Sequence, residues 1–253
     1  MPRIIALTNQ KGGVGKTTTT INLAAYLARA GHKILIIDAD PQGNATGGLG
    51  IDKANLRLGL YDVLVGTTPA AQAILPTKRP NLSILPSNAN LAGAEVQMVG
   101  TERREFRLKQ VLDDITYDLV LIDCPPSLGL LTVNALTAAS DILIPVQTEY
   151  YALEGLSQLL SVIQQVRAGL NPELNLLGLV MTMYDNRTSL APQIKQELEN
   201  HFGDKLFEVV VPRNVRLAEA PSFGRTIVEH DRWSRGARAY KALAKELERR
   251  LNG

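Results

Sequence analysis

Seven short apolar runs, each nearly uninterrupted rather than alternating, constrain the fold of this 253-residue chain more than any other feature. They lie at 4–8, 34–37, 82–85, 119–122, 142–146, 176–182 and 207–211. Strands buried on both faces read this way, and such strands belong to parallel sheets covered by helices on both sides. Helix-period patterns fill the gaps, at 17–30, near 102–115, and at 129–138, 152–170, 191–202 and 237–251. Gly31, Asn171-Pro172 and Gly203 serve as stops. The alternation predicts an α/β fold: a doubly wound, mostly parallel sheet of about seven or eight strands with helices on both faces. Ligands of such a fold gather at the carboxyl ends of the strands. No repeat, low-complexity tract or long linker interrupts the pattern, so 1–253 are expected to form a single domain.

The loop after the first run reads Lys11-Gly12-Gly13-Val14-Gly15-Lys16-Thr17-Thr18 and leads into the first helical pattern. Three glycines let backbone N–H groups converge on an anion, and the helix that follows adds its positive dipole end. Lys16 then sits over the outer phosphates of a nucleotide, and the Thr17 hydroxyl takes a Mg²⁺ position. A surface turn with two solvated lysines would not require strand, three glycines, Lys-Thr and helix together. The second run ends in Asp38-Ala39-Asp40-Pro41-Gln42-Gly43-Asn44 and the fourth in Asp123-Cys124-Pro125-Pro126-Ser127, so carboxylates stand at the ends of two buried strands beside the same crevice. Aspartate near proline is also ordinary turn chemistry, and Asp38 reads equally well as that. An aspartate closing an apolar strand opposite a Lys-Thr loop is the arrangement that holds Mg²⁺ through water, which points to Asp123.

Composition excludes several classes. No run approaches the roughly 18 apolar residues of a membrane span, and the chain enters a strand at once without a signal-peptide pattern, so a cytoplasmic protein is expected. The single cysteine, Cys124, permits no disulfide within the chain and reads as a small buried apolar residue. The net charge of +2 hides an asymmetry: 14 Lys/Arg face 16 Asp/Glu over 1–186, and 13 face 9 over 187–253. A basic last quarter suggests an anionic partner. In the last helical pattern Tyr240, Leu243, Ala244, Leu247 and Leu251 share a packing face. Arg238, Lys241, Lys245 and Arg249 form an outward stripe suited to running along phosphates without reading sequence, with Arg225, Arg232 and Arg235 nearby.

The strict pattern G-x-x-x-x-G-K-[ST] is not met, because Gln10 stands where its first glycine belongs and Lys11 follows. K-G-G-x-G-K-T instead resembles the deviant Walker A motif of the ParA/MinD family of P-loop ATPases. Asp123-Cys124-Pro125-Pro126-Ser127-Leu128-Gly129 resembles that family's second switch, and 147–155 and 211–224 are similar to its ParA/Soj chromosome-partitioning branch. The resemblance covers essentially the whole chain. It implies ATP and Mg²⁺ as ligands, with nucleotide contacts from Gly12, Gly13, Val14, Gly15, Lys16, Thr17 and Thr18, and with Pro212 and Asn214 against the adenine. It implies that Lys11 reaches the nucleotide of a second subunit as a cation supplied in trans, and that Asp40 orients or activates the attacking water. Thr17, with Asp123 and Asp40 through water, is implied at the metal. Arg187 and Arg216 are implied as contacts to non-specific double-stranded DNA, with Arg238, Lys241 and Lys245 added from the stripe. The implied cycle is a homodimer formed with ATP, bound to DNA in the nucleoid, and released when a ParB-type centromere-binding protein stimulates slow hydrolysis. Tyr150, Tyr151 and Leu153 read as packing and are assigned no chemistry.

Three other readings fit less of the sequence. A MinD-like membrane-associated positioning ATPase requires a terminal amphipathic helix with bulky apolar residues, and Leu247-Glu248-Arg249-Arg250-Leu251-Asn252-Gly253 is too polar. A nitrogenase iron protein-like electron donor needs two cysteines per chain. A dethiobiotin synthetase-like enzyme leaves Lys11 and the basic last quarter unexplained. Because the first run begins near residue 3, no N-terminal DNA-reading extension is expected.

Overall fold

Seven strands are present in the computed structural model, which describes residues 2–113, 115–149 and 152–252. They are β1 (Arg3–Leu7), β2 (Ile34–Asp38), β3 (Leu75–Pro76), β4 (Leu82–Leu85), β5 (Leu119–Asp123), β6 (Asp141–Gln147) and β7 (Asn175–Thr182). Their order in the sheet is β3-β4-β2-β5-β1-β6-β7. All pairings are parallel except β3 with β4. Successive residues of one strand feed opposite cores: Leu35, Ile37, Val120 and Ile122 enter one cluster, and Ile34, Ile36, Leu119 and Leu121 the other. Period-two geometry with both faces covered is why these runs show no polar alternation.

The helices are α1 (Lys16–Arg29), α2–α6 (Asn44–Gly48, Leu60–Leu64, Ala70–Ala73, Ala92–Gln97, Arg107–Leu112), α7 (Leu130–Ala138), α8 (Ala152–Gly169), α9 (Leu190–Phe202), α10 and α11 (Val215–Glu219, Ile227–His230) and α12 (Arg235–Asn252), of which α2–α6, α10 and α11 are short. Leu23 and Leu27 of α1 pack with Tyr240, Leu243 and Leu247 of α12 on one face of the sheet. Leu108, Leu131, Leu159 and Ile163, from α6, α7 and α8, cover the other. The pattern near 102–115 is interrupted: Arg103 adopts a left-handed backbone (φ 54), a 3-10 turn spans Arg104–Phe106, and α6 begins only at Arg107. Tyr150, Tyr151 and the Leu153 side chain lie outside the described residues.

The run at 207–211 does not form a strand. It lies beside β7, with Phe207 N donating to Leu179 O (2.8 Å) and Val211 N to Met181 O (2.9 Å), but only isolated bridges form, at Leu206 and Pro212. Between them Glu208 N and Val209 N donate instead to Glu246 of α12, both at 2.9 Å, so a buried carboxylate replaces the ladder. Glu246 is 4% exposed and is also paired with Arg250 at 3.0 Å. Glu246→Ala strands two backbone donors and removes the ion pair of Arg250, which keeps the Asp204 and Leu206 carbonyls as acceptors, so it should lower unfolding free energy by about 3 kcal/mol in urea titrations.

Candidate active site

Parallel register brings three carboxyl ends together: Leu7 of β1 is level with Asp123 of β5, and Asp123 with Asp38 of β2. The loop from β1 to α1 crosses above them and is pinned on both sides. Asn9 Nδ2 donates to Pro145 O (2.8 Å) while its Oδ1 accepts from Lys11 N (2.9 Å), and Thr182 Oγ1 donates to Val14 O (2.8 Å). Gly13 and Gly15 have φ of 76 and 84, a region where a side chain is strained. Gly15 caps α1 with no side-chain acceptor, and the first turn carries no acid, which leaves its N–H groups for an external anion. Gly12 faces Pro126 of the loop after β5, so an added Cβ would lie 3.9 Å from the proline ring.

Lys16 is buried at the mouth of this cradle, its Nζ donating to Lys11 O at 3.1 Å. Burial pulls its ammonium pKa down, and the neighbouring Asp123 and Asp40 oppose that shift. Asp38 and Asp123 are fully buried and Asp40 nearly so. Burial, followed by the charge of Asp38, pushes the Asp123 carboxyl upward, while Thr17 and Lys16 hold it down. Thr20 Oγ1 donates to Asp123 Oδ1 (3.3 Å), and Asp123 Oδ2 is buried without a partner. That orphaned oxygen, beside Thr17, fits a hard cation. Among the described residues no three His, Cys, Asp or Glu side chains converge to hold a metal on their own. A Mg²⁺ taking one or two protein oxygens and completing its shell with phosphate and water fits that donor set.

The two aspartates of the β2 turn divide their work. Asp38 Oδ2 accepts from both Thr46 N (2.8 Å) and Thr46 Oγ1 (2.7 Å), so it anchors the loop rather than facing the crevice freely. Asp40 Oδ1 accepts from Gln42 N (2.9 Å), and its carbonyl takes Ser87 Oγ (2.9 Å) and Gly43 N (2.9 Å). Cys124 is buried and its thiol is pushed up by that burial, which removes it as a nucleophile.

A cavity of about 370 Å³ opens beside the start of α1, bounded by Gly15, Thr18, Thr182, Met183, Pro212 and Asn214. Pro212 and Asn214, far from the loop in sequence, thus meet it in space. Asn214 Oδ1 accepts from Arg216 N (2.9 Å) and caps α10. Thr182, Met183 and Tyr240 line the same cavity and were not legible from sequence. Lys11 points elsewhere: its Nζ is ion-paired with Glu149, which also accepts from Gln147 Nε2. Both partners are well exposed, so the tie is weak and exchangeable.

The basic residues fall on two surfaces. Arg187, Arg213 and Arg235 border one groove, where Arg187 is paired with Asp185 at 2.6 Å. Arg216 on α10 is held by Glu219 (2.9 Å) and more distantly by Asp231 (3.7 Å). Arg238, Lys241, Lys245 and Arg249 are exposed on α12 opposite its buried apolar face, as expected. Lys241 and Lys245 share a second groove with Arg29, Arg232 and the exposed Trp233, over whose ring the Arg232 guanidinium lies at 4.7 Å. Among the described residues no helix is long and apolar enough to cross a membrane.

Residues 2–176 match the family model described as an AAA domain. The chain is 53% identical to the sporulation initiation inhibitor protein Soj of Bacillus subtilis, covering 98% of each chain. It is 50% identical to the chromosome partitioning protein ParA of Caulobacter vibrioides, covering 97% of this chain and 93% of that one. Its fold is similar to the crystal structure of cobyrinic acid a,c-diamide synthase from Mycobacterium smegmatis with bound ADP and magnesium, with a TM-score of 0.88, 37% identity and coverage of 100% and 96%.

Proposed function

The chain belongs to the ParA/Soj family of P-loop ATPases, and from that premise we propose that it is an ATP-driven DNA-partitioning switch: ATP binding joins two copies, the dimer holds DNA without regard to sequence, and hydrolysis releases it. The observation that carries this reading is the cradle in which Lys16, Asp40 and Asp123 surround one crevice under an uncapped helix start. Gly12 to Thr18 hold the phosphates through backbone N–H groups, and Lys16 spreads its charge over the outer ones. Pro212 and Asn214 border the adenine. Thr17 and, through water, Asp123 and Asp40 hold Mg²⁺, which neutralises charge on the phosphates. Asp40, fixed by Gln42 N, orients the water that attacks.

Lys11 acts across the dimer. Its tie to Glu149 keeps it within its own chain until a second nucleotide offers a stronger anion. Lys11→Ala should therefore bind a fluorescent ATP analogue within about threefold of wild type, yet remain a monomer by light scattering under saturating ATPγS. A dimer of normal stability would remove Lys11 from the interface.

DNA is held by Arg187 and Arg216 together with Arg238, Lys241 and Lys245, and a ParB-type centromere-binding protein triggers release. One copy presents a weak basic face, and joining two gives avidity only while ATP is present. Arg216→Gln tests the placement without setting a new carboxylate against Glu219 and Asp231. The dimer should form normally while duplex affinity drops about tenfold and the slope of log affinity against log salt shrinks by about 1 per chain. An unchanged slope counts against Arg216 as a phosphate contact.

A further inference from the structure

A cavity of about 680 Å³ lies at the amino end of β5, the opposite end of that strand from Asp123 and the phosphate loop. It is bounded by Ile115 and Tyr117 at the entry to β5, by Arg107 and Val111 of α6, by Val63 of α3, and by Ala70 and Ile74 at the two ends of α4. Lys16, Asp40 and Asp123 do not border it. Its size, and walls that are mostly apolar with a few polar groups, are those of a site for a small molecule.

Among the described residues that line the cavity, Arg107 alone is charged. A guanidinium cannot shed its proton, so the positive charge persists whatever surrounds it. Its Nε is buried without a hydrogen-bond partner, and no carboxylate of the described residues pairs with it. The acids near this lining in sequence are placed elsewhere. Glu105 pairs with Arg104 (3.1 Å), Asp62 accepts from Gly59 N (2.9 Å), Asp118 accepts from Lys33 N (2.7 Å), and Asp113 is exposed. The side chain is only half-covered, and its two Nη groups are neither bonded within the described residues nor closed off from solvent. A lone guanidinium beside apolar walls, with no internal counter-charge, calls for an anion that brings an apolar body with it.

The backbone here favours a small molecule over an extended peptide. Gly66 N already donates to Val63 O (3.1 Å), Thr67 N to Asp62 O (3.0 Å), Ile74 N to Ala70 O (3.0 Å) and Ile115 N to Leu112 O (3.3 Å). Those donors are unavailable for strand-like pairing, which leaves recognition to side chains.

We propose that this cavity binds a small organic monocarboxylate, its carboxylate on the Nη edge of Arg107 and its apolar body along Val63, Ile74, Val111 and Ile115. Planar guanidinium and planar carboxylate match as two parallel hydrogen bonds, so Arg107 sets orientation while the wall supplies affinity that grows with the length of the body.

The test titrates the full-length protein with butanoate, hexanoate and octanoate, following the Arg107 Nε–Hε resonance and the methyl resonances of Val63, Ile74, Val111 and Ile115. These signals should shift together and saturate, with affinity rising about threefold for each added methylene. Hexan-1-ol, which has the same tail without the charge, should bind at least about tenfold more weakly than hexanoate. Arg107→Gln should erase that preference for the acid, and Val111→Thr should keep the preference while flattening the gain per methylene. Shifts that never saturate, that fall outside this cavity, or that persist at full affinity in Arg107→Gln overturn the proposal, as does an alcohol that binds as well as the acid.

Discussion

Lys16→Ala should reduce ATP turnover by about 10³-fold or more, the largest loss of any single substitution in this protein. Lys16 is 6% exposed and rests on Lys11 O, poised to transfer from a neutral carbonyl to a phosphate. Its ammonium is the positive charge set beside Asp123 and Asp40, so its removal takes away phosphate stabilisation and leaves those two acidic groups beside an incoming polyanion. Phosphate release and equilibrium binding of a fluorescent ATP analogue should both fail. Turnover within tenfold of wild type would show that the cradle works through the backbone alone.

Asp40→Ala should separate binding from hydrolysis. Asp40 accepts one backbone N–H, from Gln42, while the loop itself is held by Asp38 on Thr46 and by Ser87 on the Asp40 carbonyl. Those supports survive the substitution, so nucleotide affinity should change little. With Asp40 in its proposed role of orienting the attacking water, its loss should slow hydrolysis by about 10²- to 10³-fold. With the exit step blocked, ATP dimers should accumulate, visible as a doubling of mass by light scattering in ATP and a monomer in ADP. A variant that remains monomeric under saturating ATP would contradict the role given to Asp40.

The parallel sheet was legible because its strands are covered on both faces, which turns period-two geometry into the unbroken runs of β2 and β5. The phosphate cradle was legible because backbone geometry demands glycine at 13 and 15 and chemistry demands lysine and threonine next to them. What was not legible depends on long-range partners. The apolar run at 207–211 carries strand propensity, but Glu246, some 40 positions later, captures two of its N–H groups. The pairing of β3 with β4 rests on two residues, too few to leave a pattern. In the site, the residues alone left Asp38 open between turn chemistry and function, and its hold on Thr46 identifies it as the anchor of the loop. Glu149 as the partner of Lys11, and Met183 and Tyr240 in the cavity beside the start of α1, appear only when distant strand ends and α12 converge.

The most direct test is fluorescence anisotropy of a labelled duplex of arbitrary sequence, titrated with wild-type protein and Mg²⁺ in ATPγS and then in ADP, at two salt concentrations. Tight binding with ATPγS, weakening steeply with salt and nearly lost with ADP, is the predicted result. Equal affinity in the two nucleotides, or none in either, would contradict a switch in which ATP assembles the DNA-holding form.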